Sequence, residues 1–445
     1  MSNFSDQIRK MKKLLLSLCC IAVLSPVIAQ KENKLIKAEN VSRIIKTLSA
    51  DDMLGRPADN PQSIEKATAF IENEFKAIGL KPLKGLTGYR QEFTKERISP
   101  DKLSVVINGE TISSDKTLLV TERVQVDISS GLVIKTIDLD PSATNLRQYF
   151  FGKAGAIARD TVSSLVIVAE EFKDSFEEYK GFFKSRFTNG RKGTKIFVLG
   201  KSTPASYSIH ATQKKEVIKM ANVVGMLEGR TTPDEQVVFS AHYDHIGFLR
   251  PVDGDSIANG ADDDASGTTA VIELARYFKK IKKNNRTLIF VAFTAEEIGG
   301  FGSRYFSEQL NPDKVVAMFN IEMIGKPSKF GQNTAWITGF ERSNFGEILQ
   351  KNLTGTPFKF LADPYPDQNL FYRSDNATLA RLGVPAHSIS TDQIDIDKLY
   401  HSVNDEFESM DIGNIVSTIR AIALSSKSIV NGADTPKRID KATVR

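Results

Sequence analysis

The chain has 445 residues, more than one small core uses, and length alone points to roughly two or three domains. With 41% hydrophobic and 25% charged residues, its composition is that of a soluble globular protein. The formal charge of +5 gathers partly in Lys279, Lys280, Lys282 and Lys283, a run without interleaved aromatic residues that reads as a solvated helix end, so no nucleic-acid partner is expected.

At the N-terminus, Lys12 and Lys13 precede an apolar run from Leu14 to Ala29 that closes on Val27-Ile28-Ala29. This is the layout of a cleavable secretory signal, assigned to residues 1–29, with Met11 as the candidate start and Gln30 as the mature N-terminus. The run is short for a membrane span and is interrupted by Ser17, Ser25 and Pro26. Export to the periplasm or the medium is expected, with no stable span after cleavage. Both cysteines, Cys19 and Cys20, fall inside this segment. Lipoprotein anchoring is the lesser alternative, because Leu18 is not the small residue that such a modification needs. A chain without Cys beyond residue 29 has no disulfides, thiolate ligands or cysteine nucleophiles. Any metal must be held by His, Asp and Glu.

Residues 36–48 and 63–78 read as helices, the second from Ile64, Ala67, Phe70, Ile71 and Phe75 at helical spacing, with Gly79 as its stop. They form the helical part, residues 30–99, of a catalytic domain. Residues 100–215 change texture: short β-like runs at 103–107, 117–120, 164–168 and 195–199 stand between Lys-rich and Gly-containing stretches, as in a separate β-rich module. From 216 to 431 the pattern is regular. Apolar strand candidates at 221–227, 236–241, 287–293, 315–321, 335–339 and 386–390 alternate with helical patterns at 266–282, 343–353 and 412–430. This predicts an α/β sheet covered on both faces, whose ligands gather at the carboxyl ends of the strands. Residues 432–445 read as a polar tail.

Four of the five candidate chemical groups fall at strand or helix mouths. His242-Tyr243-Asp244-His245 follows the second of those strands, and there an imidazole can bind a cation while Asp244 holds the other ring N–H. Asp262-Asp263-Asp264, flanked by Gly260 and Gly267, exceeds what a helix N-terminus needs but suits a carboxylate bridging two cations. Glu296-Glu297 follows a third strand, and adjacent acids of this kind divide into a metal ligand and a general base. Glu322 closes another strand with a carboxylate that is costly to bury unpaired. His401 lies in the polar stretch before the last helix. Of the five histidines, His210 and His387 read as structural.

This ordered series resembles the M28 family of zinc aminopeptidases, loosely over residues 30–95 and well over 216–431. The resemblance implies a phosphorylase/hydrolase-like fold, with a mixed central sheet flanked by helices on both faces, and two Zn2+ ions per subunit. Asp263 would bridge the ions, His242 and Glu322 would complete one, and Glu297 and His401 the other. Asp244 would support His242, and Glu296 would be the base. Tyr372-Arg373-Ser374-Asp375-Asn376 resembles the family's stretch beside the substrate pocket, so Tyr372, Ser374 and Asp375 are the candidate substrate-binding residues. Three departures stand out: Glu322 where Asp is more frequent, Asn376 where His is common, and either Phe371 or Tyr372 nearest the family's oxyanion-stabilising Tyr. Only Tyr372 of that pair can donate a hydrogen bond. Residues 100–215 occupy the place where some relatives carry a protease-associated domain.

The expected function is an exported metallo-exopeptidase acting on peptides with a free N-terminus. Paired cations acidify a shared water, Glu296 takes its proton, and Glu296 then protonates the departing amine. A carboxypeptidase or deacylase of the same clan usually has a dimerisation domain between the Glu-Glu pair and the last His, where this chain has room for little beyond its α/β core. A glutaminyl cyclase would use a single zinc. A non-catalytic peptidase-like binding protein would have lost ligands or the base, and here each position carries a competent side chain.

Overall fold

The computed structural model describes residues 34–200 and 203–444, so the expected signal segment lies outside the described residues. Among those described, no helix is long and apolar enough to cross a membrane. The chain forms two compact units, one from residues up to Phe93 together with Met220 onward, the other from Thr94 to Lys219.

In the first unit, helix α1 (Ala38–Leu48) and helix α2 (Pro61–Ile78) come first. Asn60 caps α2 by accepting the Gln62 and Ser63 amides, Pro61 takes the first turn, and Gly79 ends the helix in the left-handed conformation at φ 78. The strands are β1 (Tyr207–Leu227, which enters this unit at Met220), β2 (Thr232–His242), β3 (Arg286–Phe293), β4 (Val315–Ile321), β5 (Thr334–Ile337), β6 (Lys359–Ala362) and β7 (Ala386–Ser390). Their spatial order is β6-β5-β7-β4-β2-β3-β1. The central strands β3, β2, β4 and β7 are parallel, whereas β1 runs antiparallel to β3 and β5 antiparallel to β7, so the sheet is mixed.

Every residue of β3, β4 and β7 is buried, as near-continuous apolar strands require when helices cover both faces. On one face α1 and α2 pack with α3 (Gly267–Ile281), α5 (Phe345–Asn352) and α7 (Ile412–Ser425). On the other lie α4 (Phe301–Gln309) and α6 (Asn376–Ala380). Phe239 of β2 stacks on Phe319 of β4 at 4.8 Å and on Phe290 of β3 at 5.5 Å, a rigid aromatic row beneath the strand ends.

Two expectations need correction here. The tail does not stand apart: Ile439 is buried in the second face's core, Arg438 donates to the Val315 carbonyl, and Arg286 donates to the Asp434 carbonyl. The middle unit is not simply β-rich. Strands Val133–Ile137, Ser164–Val168 and Lys195–Leu199 are parallel, joined through helices Leu146–Arg159 and Lys173–Gly181, and Thr117–Val120 adds an antiparallel edge. Phe150, Ala154 and Ala158 do recur at helical spacing, but Gly and Lys between them dilute the pattern.

Candidate metal centre

The loops at the carboxyl ends of β2, β3 and β4 converge. His242 ends β2 and is almost fully buried. Its Nδ1–H donates to the backbone carbonyl of Asp244 at 3.0 Å, which fixes the tautomer, because a carbonyl can only accept. Nε2 therefore faces the Glu322 carboxylate at 3.0 Å and the Asp263 carboxylate at 3.2 Å. Burial works against a charged ring, yet Glu322 and Asp263 hold His242 well above the usual imidazole range.

The Asp244 carboxylate is employed differently from the expectation. It stands 3.9 Å from the His242 ring, too far for a hydrogen bond, and instead accepts the amides of Glu296 at 3.1 Å and Glu297 at 3.3 Å. Asp244 thus fixes the Glu-Glu turn, and its own backbone orients His242. Burial pushes its carboxyl up to about 7.

The three successive aspartates have three separate partners. Asp262 accepts the Gly325 amide at 2.7 Å and pairs with Lys326 at 3.2 Å. Asp264 accepts the amides of His242, Gly267 and Met323, tying β2, α3 and β4 together. Asp263, between them, is left for the histidines. Its Oδ1 meets His242, while its Oδ2 meets His401 at 3.2 Å and lies 3.7 Å from His245. Burial opposes its ionisation, but the three imidazoles hold it well below the usual carboxylate range.

Glu297 completes the second group, with Oε1 2.9 Å from His245 Nδ1 and Oε2 3.1 Å from His401 Nε2. Glu296 carries no such partner and borders the cleft. Burial first, and then the charges of Asp375, Glu322 and Glu297, push it well above the usual range. Left-handed backbone at Ala295, Met323 and His401 aims the neighbouring carboxylates and the imidazole inward, a local strain typical of functional loops.

Ser374 donates to Glu322 Oε2 at 2.5 Å and accepts from Asn320, whose amide also reaches Ser388. Its hydroxyl therefore orients the Glu322 carboxylate while its side chain lines the cleft. Asp375 is buried, its carboxyl pushed by burial up to about 7. The Tyr372 hydroxyl points to the Thr443 carbonyl at 3.5 Å, and Phe371 is buried in the core. The phenol lining the cleft belongs to Tyr400, whose ring stacks on His401 at 3.9 Å and whose hydroxyl burial keeps protonated.

Three further residues escaped sequence reasoning. His245 is buried between Asp263 and Glu297, and its Nε2 has no hydrogen-bond partner. Asp405 accepts the amides of Asp262 and Asp263. Arg56, fully buried, donates to the carbonyls of Tyr243, Leu48, Asn259 and Gly260 at 2.5–2.8 Å, and its own carbonyl accepts the His245 amide. Only the His245 position, one residue from Asp244, carried a signal that proximity could have exposed.

These residues fit divalent cations. A tautomer-fixed Nε2 lone pair aimed at two carboxylates is unfavourable unless a cation or a proton lies between, and buried acids outnumber the buried bases around Asp263. The donor atoms fall into two groups, His242 with Asp264 and Glu322, and His245 with Asp263 and Glu297. Since the Asp264 oxygens already accept three amides, Asp263 is the better-placed ligand for the first group as well. An all-nitrogen and oxygen set of this kind suits zinc.

The chain is similar to proteins named as zinc metalloproteases and aminopeptidases. A probable zinc metalloprotease of Pyrenophora tritici-repentis is 34% identical over 110 residues, covering 24% of this chain and 25% of that protein. Leucine aminopeptidase 1 of Ajellomyces capsulatus is 29% identical over 211 residues, covering 44% and 52%. The chain thus spans between a quarter and about half of the length of these curated relatives. In fold, it matches an aminopeptidase from Aneurinibacillus sp. strain AM-1 with a TM-score of 0.54 at 17% identity, over 94% of this chain and 98% of that one. The family model for peptidase family M28 matches residues 222–425, the stretch that contains both groups of ligands and Glu296. Over residues 222–425, the chain is thus similar to peptidase family M28.

Proposed function

We propose that the protein is an exported zinc-dependent aminopeptidase that removes N-terminal residues from peptides with a free N-terminus. The observation that carries this reading is the division of Asp263, one oxygen toward His242 and the other toward His401 and His245. Such a carboxylate suits two Zn2+ ions, with His242 and Glu322 holding one and Glu297 and His401 the other. That arrangement weighs against a single-zinc cyclase. Bound zinc supplies Lewis acidity toward the scissile carbonyl and the attacking water.

The remaining work falls to this chain's own side chains. Glu296, unpaired at the cleft, takes the proton from water and returns it to the leaving nitrogen. Asp244 keeps the backbone of Glu296 and Glu297 in place, and Ser374 does the same for the Glu322 carboxylate. Met323, Trp336, Leu370 and Ile394 form an apolar wall for the side chain of the first substrate residue. Export rests on the Lys12–Ala29 layout, and delivery to the periplasm or the medium follows from it.

The test pairs metal analysis with Glu296→Gln. The variant should keep two zinc ions per chain and lose about 10²–10⁴-fold in kcat on aminoacyl anilides. An active Gln variant, or an active wild type free of metal, would overturn the mechanism. Blocked peptides cleaved as fast as free ones would overturn the aminopeptidase assignment.

A further inference from the structure

We propose that the leaving-group side of the cleft carries a carboxylate subsite built from Arg373 and Arg304. It would direct the enzyme to substrates whose departing amine carries a carboxylate, above all dipeptides. The inference rests on the aminopeptidase reading and adds a substrate class to it.

Two cavities share Glu296, Arg373 and Ser374. The first contains the candidate ligands and the apolar wall. The second, of about 610 Å³, is lined by Glu296, Ser303, Arg304, Arg373, Asp375 and Arg381 among others. A group that takes a proton from water and gives it to the departing nitrogen must face both sides of the scissile bond. Glu296 borders both cavities. The first cavity accepts the N-terminal residue, so the departing amine lies toward the second.

The charge there favours an anion. Arg304, Arg373 and Arg381 are all exposed, whereas Asp375 is buried and Glu296 half-buried. Among the described residues, Arg373 and Arg304 make no ion pair, and the Arg304 side chain has only a long 3.4 Å bond to the Gly299 carbonyl. Arg373 belongs to both cavities, which puts a guanidinium beside the path of the leaving group. A guanidinium matches a carboxylate through paired N–H donors, in a geometry that an amide or anilide cannot reproduce. In a dipeptide the C-terminal carboxylate is attached to the same residue as the departing nitrogen, within reach of the cavity next to Glu296. In a longer peptide that carboxylate is carried past the arginines, unless the second residue is acidic.

The experiment compares Leu-Gly, Leu-Gly-amide and Leu-Asp-amide on the zinc-loaded wild type, Arg373→Gln and Arg304→Gln. Wild type should cleave Leu-Gly with kcat/KM about tenfold or more above Leu-Gly-amide, the difference residing in KM. The acid-to-amide ratio should collapse toward one in Arg373→Gln and fall in Arg304→Gln, with far-UV circular dichroism unchanged. A preference for Leu-Asp-amide over Leu-Gly-amide, lost in the same variants, would support the subsite with an acidic second residue as its source. Equal kcat/KM for all three peptides, or a ratio untouched by both substitutions, would overturn the subsite while leaving the aminopeptidase standing. Failure to cleave any of the three would overturn both.

Discussion

Replacing Arg56 tests whether the centre is held from outside its own motifs. The guanidinium serves five buried carbonyls drawn from three segments: Leu48, Tyr243, and the loop residues Asn259, Gly260 and Asp263, the last at 3.4 Å. It lies among the carboxylates of Asp405, Asp263, Asp244 and Asp264, which offset the burial that would otherwise lower its pKa further. In Arg56→Lys one nitrogen with three donors replaces a planar fork with five, so at least one carbonyl is orphaned and the others are met at poorer angles. At about 1–3 kcal/mol for each buried group left unsatisfied, the variant should lose about 2–4 kcal/mol. Urea unfolding with zinc and with chelator measures the loss in both states. Zinc affinity should fall as well, because Tyr243 and Gly260 flank the His242 and Asp263 ligands. A variant within about 0.5 kcal/mol of wild type, with unchanged zinc affinity, would refute this role.

Ser374→Ala removes the hydroxyl that orients Glu322 and should weaken zinc binding about 10–100-fold, read by competition with a chromogenic chelator. His387 supplies a pH signature remote from the metal. Burial pushes its pKa from 6.5 down to about 4, so the unfolded chain takes up the proton first as pH falls. The stability that it contributes is complete above pH 6.5 and is lost on descending to pH 4, a change of about 3 kcal/mol. Urea midpoints at pH 7.5 and 4.5 should differ less in His387→Asn than in wild type; equal differences would reject the assignment.

The parts legible in the sequence were those whose physics is local. Continuous apolar runs marked β3 and β4, and Gly79 marked the end of α2, because propensity and capping act within a few residues. The ordered acids and histidines could be read because strand ends bring them to one edge of the sheet. What could not be read was which atom faces which. Asp244 sits two residues from His242, yet its carboxylate turns to the amides of Glu296 and Glu297. The partners of Arg56 and Asp405 lie far along the chain, and a lone charged residue in a loop has no periodicity to betray it. Gly260 shows the same limit. Its left-handed φ of 58 is a usual reason for glycine, but a Cβ there would also stand 2.6 Å from the His245 ring, which only the folded loops reveal.

The first compact unit is closed by groups that lie far apart along the chain. Arg420 of α7 donates to the carbonyl of Ile36 at 2.7 Å, a contact spanning 384 positions, and α1 and α7 share one core. Loop-closure entropy rises only slowly with such a separation, so the finished chain loses little stability by it. The order of events is another matter. Until α7 has emerged, α1 lacks part of its partner surface, and His401 has not yet joined Asp263. The proposed peptidase would therefore stay latent until His401 and α7 have joined the fold, which suits a proposed workplace on the far side of a membrane.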